Sequence, residues 1–188
     1  PFEPAGPSLA WQAGDIAEIG LPAADGAAPA SREYSVASLP GDGRVELIVR
    51  RVVRADGSPG LASGWLTGAL AVGDEVGIRL RTNRSFHGPT AETPVVLIGA
   101  GTGLAGLRGH LRARPEGGHG GAWLLWGERS RAHDAWLDEE LQAALASGRL
   151  TRLDRVFSRE PGGGYVQGSV RHGRKYSFGR PILQMRTQ

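Results

Sequence analysis

The segment from Pro94 to Gly106, with the sequence PVVLIGAGTGLAG, constrains the fold of this chain more than any other. Its run of apolar residues predicts a buried strand, and Gly101, Gly103 and Gly106 then fit the pattern G-x-G-x-x-G. Leucines on one face predict a helix over 103–113. Such a turn brings backbone N–H groups close to an anion, for example a pyrophosphate. The segment therefore indicates a nucleotide-binding α/β unit, with tight packing that involves no ligand as the alternative.

The composition excludes several other classes of protein. The chain has 188 residues, enough for one large domain or two small ones. It contains no cysteine, which excludes disulfides and thiolate metal sites. Its five histidines lack the spacing H-x-x-x-H, and no apolar run is long enough to cross a membrane. We therefore expect neither a metal site nor a membrane segment in this chain.

Basic residues are concentrated at the C-terminal end. Residues 168–188 carry five basic side chains and no acidic one, whereas the rest of the chain holds 17 basic and 19 acidic residues. The main part of the chain is thus mildly acidic and gives no reason to expect a nucleic-acid partner. The same end contains the only Lys and the only Met. Residues 168–188 are therefore interpreted as an atypical basic tail, either a foreign or misread end or a basic surface extension.

Two patterns divide the chain near residue 91. Residues 15–19, 44–50 and 75–81 alternate between apolar and polar side chains and are separated by turn residues, which predicts an antiparallel β unit over 1–91. Beyond it, strands alternate with helices. This predicts a parallel α/β sheet over 92–167, with ligands at the carboxyl ends of its strands. The elements predicted there are strands 94–98, 122–126 and 150–157 and helices 103–113 and 131–147.

Two features at the predicted strand ends bear on which nucleotide binds. Glu128 ends the second strand of the α/β unit, and an acid there is typical of ribose hydroxyl binding and of NAD. Ser158 and Arg159 follow the third strand and form a donor pair suited to a phosphate. An ordinary solvated arginine is the alternative. The charges favour NADP.

The first half contains two further groups of candidate residues. Arg32, Tyr34 and Ser35 lie at a strand start, with Arg32 and Tyr34 on one face and Ser35 on the other. They could clamp a phosphate, cover a ring and donate a hydrogen bond. The turn from Gly60 to Ser63 leads into a short helix and is a second candidate anion site. A plain strand start and an N-cap at Ser63 explain the same residues equally well.

Together, and in this order, the motifs resemble those of the ferredoxin–NADP reductase superfamily, over residues 11–167. The form of the last motif resembles the diflavin branch, and the residues around Gly103 and Gly127 resemble its bacterial, sulfite-reductase-flavoprotein-like members. The motifs are R-x-Y-S at Arg32, Tyr34 and Ser35, G-x-x-S/T at Gly60 to Ser63, G-x-G-T-G at Gly99 to Gly103, G-x-R at Gly127 to Arg129, and S-R…Y-x-Q at Ser158, Arg159, Tyr165 and Gln167.

The resemblance implies a two-domain fold, with an antiparallel FAD-binding β-barrel at 1–91 and an NADP-binding α/β domain at 92–167. The residues implied for FAD are Arg32 at the pyrophosphate, Tyr34 along the ring, Ser35 as the catalytic residue near flavin N5, and Gly60, Leu61, Ala62 and Ser63 at the pyrophosphate. Those implied for NADP(H) are Gly101, Thr102, Gly103 and Arg129 at the pyrophosphate, and Ser158, Arg159, Tyr165 and Gln167 at the 2′-phosphate and adenine.

The function implied is that of an oxidoreductase that passes a hydride from NADPH to FAD and then electrons to a protein acceptor. A flavodoxin-like FMN domain, a ferredoxin, a haem protein and sulfite reductase are the implied acceptors. The implied location is the cytoplasm, or the cytoplasmic part of a larger membrane-associated protein. The alternative is a truncated flavin- or nucleotide-binding module with weak or no activity.

The sequence also departs from the family pattern. The family's diflavin branch has a Lys between S-R and Y-x-Q, but residues 160–164 read EPGGG, which predicts a weakened preference for NADPH over NADH. Residues 168–188 match none of the family's C-terminal elements. The sequence therefore predicts a C-terminally truncated or altered sheet with an exposed edge, and the start at Pro1 predicts that the chain is a fragment.

Overall fold

The computed structural model describes residues 1–5, 9–23, 28, 30–117, 120–172 and 182–184. The chain divides into two compact units, Pro1–His87 and Gly88–Gln188. The first contains an antiparallel sheet and the second a parallel one. The prediction of an antiparallel β unit followed by a parallel α/β unit is thereby confirmed.

The first unit is built on a three-stranded sheet in the order β2-β1-β3. Its strands are β1 at Ile16–Leu21, β2 at Ala30–Ser35 and β3 at Ile78–Arg81. Alternate residues of β1 face the core, as the sequence pattern predicts, and Ala17 and Ile19 are fully buried. Helix α1, Leu61–Gly64, continues into a π-helical turn, Trp65–Ala69, and short 3-10 turns lie at Pro40–Asp42 and Arg84–Phe86.

The prediction of a strand over residues 44–50 is wrong. Among the described residues, Val45 is the one position of this segment that makes a β-bridge, to Phe2, and residues 46–50 form no ladder there. The Ser38 hydroxyl explains part of this, because it donates to the carbonyl of Arg44 at 2.9 Å and accepts from the N–H of Glu46 at 3.0 Å. A side chain thus takes up backbone groups that a neighbouring strand would otherwise pair. The third predicted strand is also shorter than expected, since β3 begins only at Ile78.

The second unit contains a four-stranded parallel sheet in the order β6-β5-β4-β7. Strand β4 occupies Val95–Ala100, β5 Ala122–Glu128, β6 Leu150–Phe157 and β7 Ile182–Gln184. A 3-10 turn, Gly101–Gly103, leads into helix α2, Leu104–Arg112, and helix α5 covers Val166–His172. Leucines from the strands and α2 fill the core, namely Leu97, Leu104, Leu107, Leu124 and Leu125.

The helix predicted over 131–147 is in fact two helices, α3 at Arg131–Asp134 and α4 at Asp138–Ala146. Leu137 interrupts them with a left-handed backbone at φ 60°. Trp136 beside it packs edge-on against the buried ring of Trp126, with 5.8 Å between ring centroids. An aromatic contact thus coincides with the break, and a leucine-only pattern does not reveal it.

The prediction of an exposed sheet edge beside β4 is corrected by β7. Residues 182–184 pair with Val96, Leu97 and Ile98 in parallel register, so β4 has a neighbour on both sides. Helix α5 likewise extends to His172, within the segment interpreted as a tail. Residues 173–181 and 185–188 lie outside the described residues. Strand order reverses at β4, and in open α/β sheets ligands bind at the carboxyl ends of the strands at such a point.

Candidate functional site

The glycine turn after β4 presents open backbone donors. Gly101, Thr102 and Gly103 are half-buried, and within the described residues no acceptor contacts the N–H groups of Gly101 and Thr102. No side chain of a described residue caps the helix start. Gly101 has φ +57°, a conformation that favours glycine, and its carbonyl accepts from the indole N–H of Trp126 at 3.3 Å. The Trp126 hydrogen bond therefore fixes the turn through a carbonyl group, while N–H donors of the turn stay available to an anion.

Close packing of helix on strand explains one glycine of the motif. A Cβ on Gly99 would lie 2.7 Å from Cδ1 of Leu107, so only glycine allows α2 to approach β4 this closely. The packing that was the alternative explanation of the motif is thus present at Gly99. It does not use the N–H groups of Gly101 and Thr102, which remain open.

The ends of β5 and β6 bring four of the residues named from the sequence together. The N–H of Ser158 donates to the carbonyl of Glu128 at 2.8 Å, and the N–H of Arg159 donates to the carbonyl of Arg129 at 2.9 Å. Backbone pairing of the parallel kind thus continues past the ends of both strands and places Arg129 and Arg159 on neighbouring segments of the chain. Both arginines are exposed, and no carboxylate among the described residues pairs with either.

Glu128 occupies a different environment from the one expected of a ribose ligand. Its side chain is buried, with 6% of its surface exposed, and one carboxylate oxygen accepts from the N–H of Arg129 at 3.2 Å. An acid that is held inside the unit is poorly placed to meet a sugar hydroxyl. The side chains available to a ligand at this edge are therefore the exposed arginines, whose positive charge suits a phosphate better than a sugar hydroxyl.

Tyr165 and Gln167 reach the same edge through α5. Val166, between them, is buried, and Gly127 faces it so closely that a Cβ there would lie 2.3 Å from Cγ2 of Val166. This contact seats the start of α5 on the end of β5. Tyr165 and Gln167 remain exposed on either side of Val166, and 72% of the surface of Tyr165 is accessible.

Arg131 is a residue at this edge that the sequence reasoning missed. Its guanidinium lies over the ring of Phe157, 4.7 Å from the centroid, and Phe157 is the last residue of β6. Glu160 holds the start of α3, because its Oε1 accepts from the N–H of Arg131 at 2.7 Å. The signal in the sequence was the short distance from Arg129, since Arg131 lies only two positions after the end of the G-x-R element.

The loop after Arg159 is shaped by its glycines. Gly162 has φ +70°, and a Cβ on Gly163 would lie 2.0 Å from the carbonyl oxygen of Phe157. The N–H of Gly163 donates to the carbonyl of Glu160 at 2.8 Å, which closes the turn. The loop folds tightly against the end of β6, which leads the chain from Arg159 back to Tyr165.

In the first unit, Arg32 and Tyr34 lie on the core face of edge strand β2. They pair with Ile19 and Ala17 of β1, whereas Ser35 pairs with Ile16 on the other face. The guanidinium of Arg32 is exposed, and its only described hydrogen bond is to the carbonyl of Ser31 at 2.7 Å. Burial raises the pKa of Tyr34, and the nearby positive charge of Arg32 offsets this only in part, so the phenol stays a proton donor.

The Gly60 turn is packed against the same core. Ala62 belongs to the buried cluster that Tyr34 contacts, which brings the two motifs of this unit together. The Ser63 hydroxyl is buried and accepts from the N–H of Val52 at 3.0 Å, and the N-cap position falls on Gly60, not on Ser63. In the described residues no acceptor meets the N–H groups of Leu61, Ala62 or Ser63. The backbone of the turn is thus open to an anion, while the Ser63 side chain serves the fold.

Two further kinds of feature are absent from the part of the chain that the structure describes. No helix in that part of the chain is long and apolar enough to cross a membrane. No group of three histidine or acidic side chains there could hold a metal ion.

Comparison with known proteins identifies relatives. The chain is 37% identical over 136 residues to the sulfite reductase [NADPH] flavoprotein alpha-component of Vibrio vulnificus, covering 69% of this chain and 22% of that protein. It is 38% identical over 148 residues to the protein of that name from Yersinia enterocolitica, covering 74% of this chain and 25% of the relative. The Yersinia pestis protein is 33% identical over 148 residues. No protein-family model matches the chain.

These similarities confirm the resemblance predicted from the motifs. The chain spans about a quarter of the length of the relatives it matches.

Proposed function

We propose that this chain, a homologue of part of the sulfite reductase flavoproteins, binds FAD in its first unit and NADPH in its second and catalyses reduction of the flavin by the nicotinamide. The observation that carries the proposal is the set of open donors at both candidate sites. Each site combines a helix start with unused N–H groups and an arginine without a carboxylate partner among the described residues. Two pyrophosphates would satisfy both sets.

The residues of the first unit fit a flavin dinucleotide. Arg32 and the N–H groups of Leu61, Ala62 and Ser63 would neutralise and bind its pyrophosphate, and the phenol of Tyr34 would lie along the ring system. The hydroxyl of Ser35, which makes no hydrogen bond within the described part of the chain, would donate near the reacting nitrogen. We further propose that the three-stranded sheet is part of an antiparallel barrel.

The residues of the second unit fit NADPH. The N–H groups of Gly101, Thr102 and Gly103 would bind the pyrophosphate, assisted by Arg129. Ser158 and Arg159 would hold the 2′-phosphate. Tyr165 and Gln167 would contact the adenine. The buried state of Glu128 supports the choice of the phosphorylated cofactor, because that acid is not free to select an unmodified ribose.

FAD bound by these residues would supply the redox chemistry as the acceptor of a hydride from the nicotinamide. The protein contributes binding, orientation and charge neutralisation through the residues named above. We propose that electrons then pass to a protein acceptor, either an FMN-containing flavodoxin-like domain or a haem protein of the sulfite reductase type. The names of the relatives support that class of acceptor, and those proteins are about four times as long as the matched segment.

Binding of FAD is tested by titrating the purified chain with FAD and following the quenching of flavin fluorescence. Arg32→Ala is expected to raise the Kd about tenfold or more, because a charge-assisted hydrogen bond contributes about 1.5–3 kcal/mol. Arg79→Ala is the matched control. Arg79 is an exposed arginine of the same sheet whose side chain is paired with Glu18. Equal effects of the two substitutions, or no FAD binding by the unaltered chain, would refute the flavin site.

A further inference from the structure

The side chain of Arg131 is oriented by two contacts at the end of β6. Its guanidinium lies over the ring of Phe157, and its backbone N–H donates to Glu160. A cation over an aromatic face is attracted by the negative face of the ring, and the contact restricts a long, flexible side chain. Phe157 directly precedes Ser158 and Arg159, so Arg131 lies beside the pair assigned to the 2′-phosphate.

The terminal nitrogens of Arg131 remain available. Glu160 approaches only Nε, at 4.0 Å, and no acceptor in the described part of the chain contacts the Nη atoms. The side chain is 63% exposed. Asp138 is also near enough to Arg131 to feel its charge, but its pKa is lowered mainly by its hydrogen bond to Arg155, and its carboxylate is already bonded to Arg155 at 2.5 Å. Arg131 thus has a fixed ring partner and free donors.

We propose that Arg131 is a second cationic ligand of the adenosine 2′-phosphate, acting with Arg159, and therefore a residue that selects NADPH over NADH. A phosphomonoester carries close to two negative charges and three acceptor oxygens, more than one guanidinium satisfies. This inference rests on the proposed function. Arg131 would also supply a positive charge at the 2′-phosphate that residues 160–164, which contain no lysine, do not supply.

A purely structural role for Arg131 makes a different prediction. If the residue only anchors the start of α3, its removal lowers stability and weakens every ligand of this edge alike. If it binds the 2′-phosphate, its removal weakens only ligands that carry this group. The difference between a 2′-phosphorylated ligand and its unphosphorylated counterpart separates the two roles.

The test is isothermal titration of the chain with 2′,5′-ADP and with 5′-AMP at one fixed ionic strength. Arg131→Ala is expected to raise the Kd for 2′,5′-ADP about tenfold and to change that for 5′-AMP less than twofold, and Arg131→Lys is expected to lose only part of the affinity. Arg152→Ala is the matched control, expected to change neither. Like Arg131, Arg152 lies over an aromatic ring, 4.4 Å from the centroid of Trp123, and contacts an acid, Asp154. It lies on β6, however, five residues before Phe157 and away from the strand end.

The outcomes distinguish this inference from the function on which it rests. One outcome overturns the role of Arg131 alone. In it, the unaltered chain prefers 2′,5′-ADP, Arg159→Ala reduces this preference, and Arg131→Ala leaves it intact. Equal loss of affinity for both ligands in Arg131→Ala shows a structural residue and also overturns the inference. No preference for 2′,5′-ADP in the unaltered chain overturns the inference and the proposed NADPH site together.

Discussion

Arg32, Arg129 and Arg159 differ from most arginines around them in how their charge is used. Each is exposed, and in the part of the chain that the structure describes none pairs with a carboxylate. Arg108, by contrast, donates from Nε to both carboxylate oxygens of Glu140, at 2.8 and 2.9 Å. An arginine that is satisfied internally has little charge left for a ligand. At the residue scale, it is therefore the missing partner, more than the motif, that marks a candidate phosphate ligand.

Asp15 shows the opposite use of a charge, in the fold of the first unit. It is 5% exposed, and its carboxylate bonds to His87 at 2.6 Å and accepts from the N–H groups of Gln12 and Asn83. Burial pushes the pKa of Asp15 up, but these hydrogen bonds outweigh burial and the pKa lies below its ordinary value. Because the pKa is lower in the folded state, the stabilisation is present above the unfolded pKa, near 3.8, and is lost as pH falls through the folded value.

We predict that Asp15→Asn lowers the free energy of unfolding by about 2 kcal/mol at neutral pH. An amide has one acceptor oxygen where the carboxylate has two, so some of the donors around position 15 lose a hydrogen bond. The loss relative to the unaltered chain should shrink below about pH 4, where Asp15 itself becomes protonated. Urea unfolding at a series of pH values measures both. A loss that is the same at every pH would contradict the charge-based explanation.

At the scale of elements, the contact between Gly127 and Val166 decides where Tyr165 and Gln167 lie. Gly127→Ala is predicted to push α5 off the end of β5, since its new Cβ would meet Val166 at 2.3 Å. We expect a stability loss of about 1–3 kcal/mol together with weaker 2′,5′-ADP binding. Thermal unfolding and titration measure the two effects.

Gly168→Ala is the control within α5 itself. Apart from the backbone of α5 itself, no atom in the described part of the chain lies within 4 Å of the position of a Cβ on Gly168. Alanine is also the better helix former, so stability should stay the same or rise by up to about 1 kcal/mol. If both substitutions are equally damaging, the seating of α5 on Gly127 is not what positions its start.

The elements differ in how far the sequence determines them. Strand β6 was predicted at its observed bounds and α2 within a residue, because local periodicity and glycine punctuation define them. The strand over 44–50 and the single helix over 131–147 were wrong. In both cases a side-chain contact outside the local periodic pattern accompanies the difference, that of the Ser38 hydroxyl in one and that of the Trp126 ring in the other. Strand β7 was missed because a three-residue strand carries no periodic signal.

The candidate site was predictable in part for the same reason. The glycine turn and the strand ends are local features, so Gly101 to Gly103, Ser158 and Arg159 could be named from the sequence. Arg131 could not, because its relation to Phe157 arises only when β6 and α3 come together. The buried state of Glu128 is likewise a tertiary property that the residue type alone does not reveal.

At the scale of the whole molecule, each candidate site lies within one of the two compact units. Substitutions that share no contact partners generally have additive effects. We therefore predict that Arg159→Ala leaves the Kd for FAD within about twofold, and that Arg32→Ala does the same for 2′,5′-ADP. The fluorescence and calorimetric titrations described above measure both. A large cross-effect would show that binding at the two sites is coupled.

Reduction by NADPH of a flavin bound to this chain is tested most directly by mixing the FAD-reconstituted chain with NADPH under anaerobic conditions and following the visible absorbance of the flavin. The prediction is that NADPH bleaches the flavin band, and does so faster than NADH at the same low concentration. Arg159→Ala should slow bleaching by NADPH about tenfold and leave the rate with NADH unchanged. A chain that retains FAD but is not bleached by NADPH would contradict the proposed reduction of the flavin.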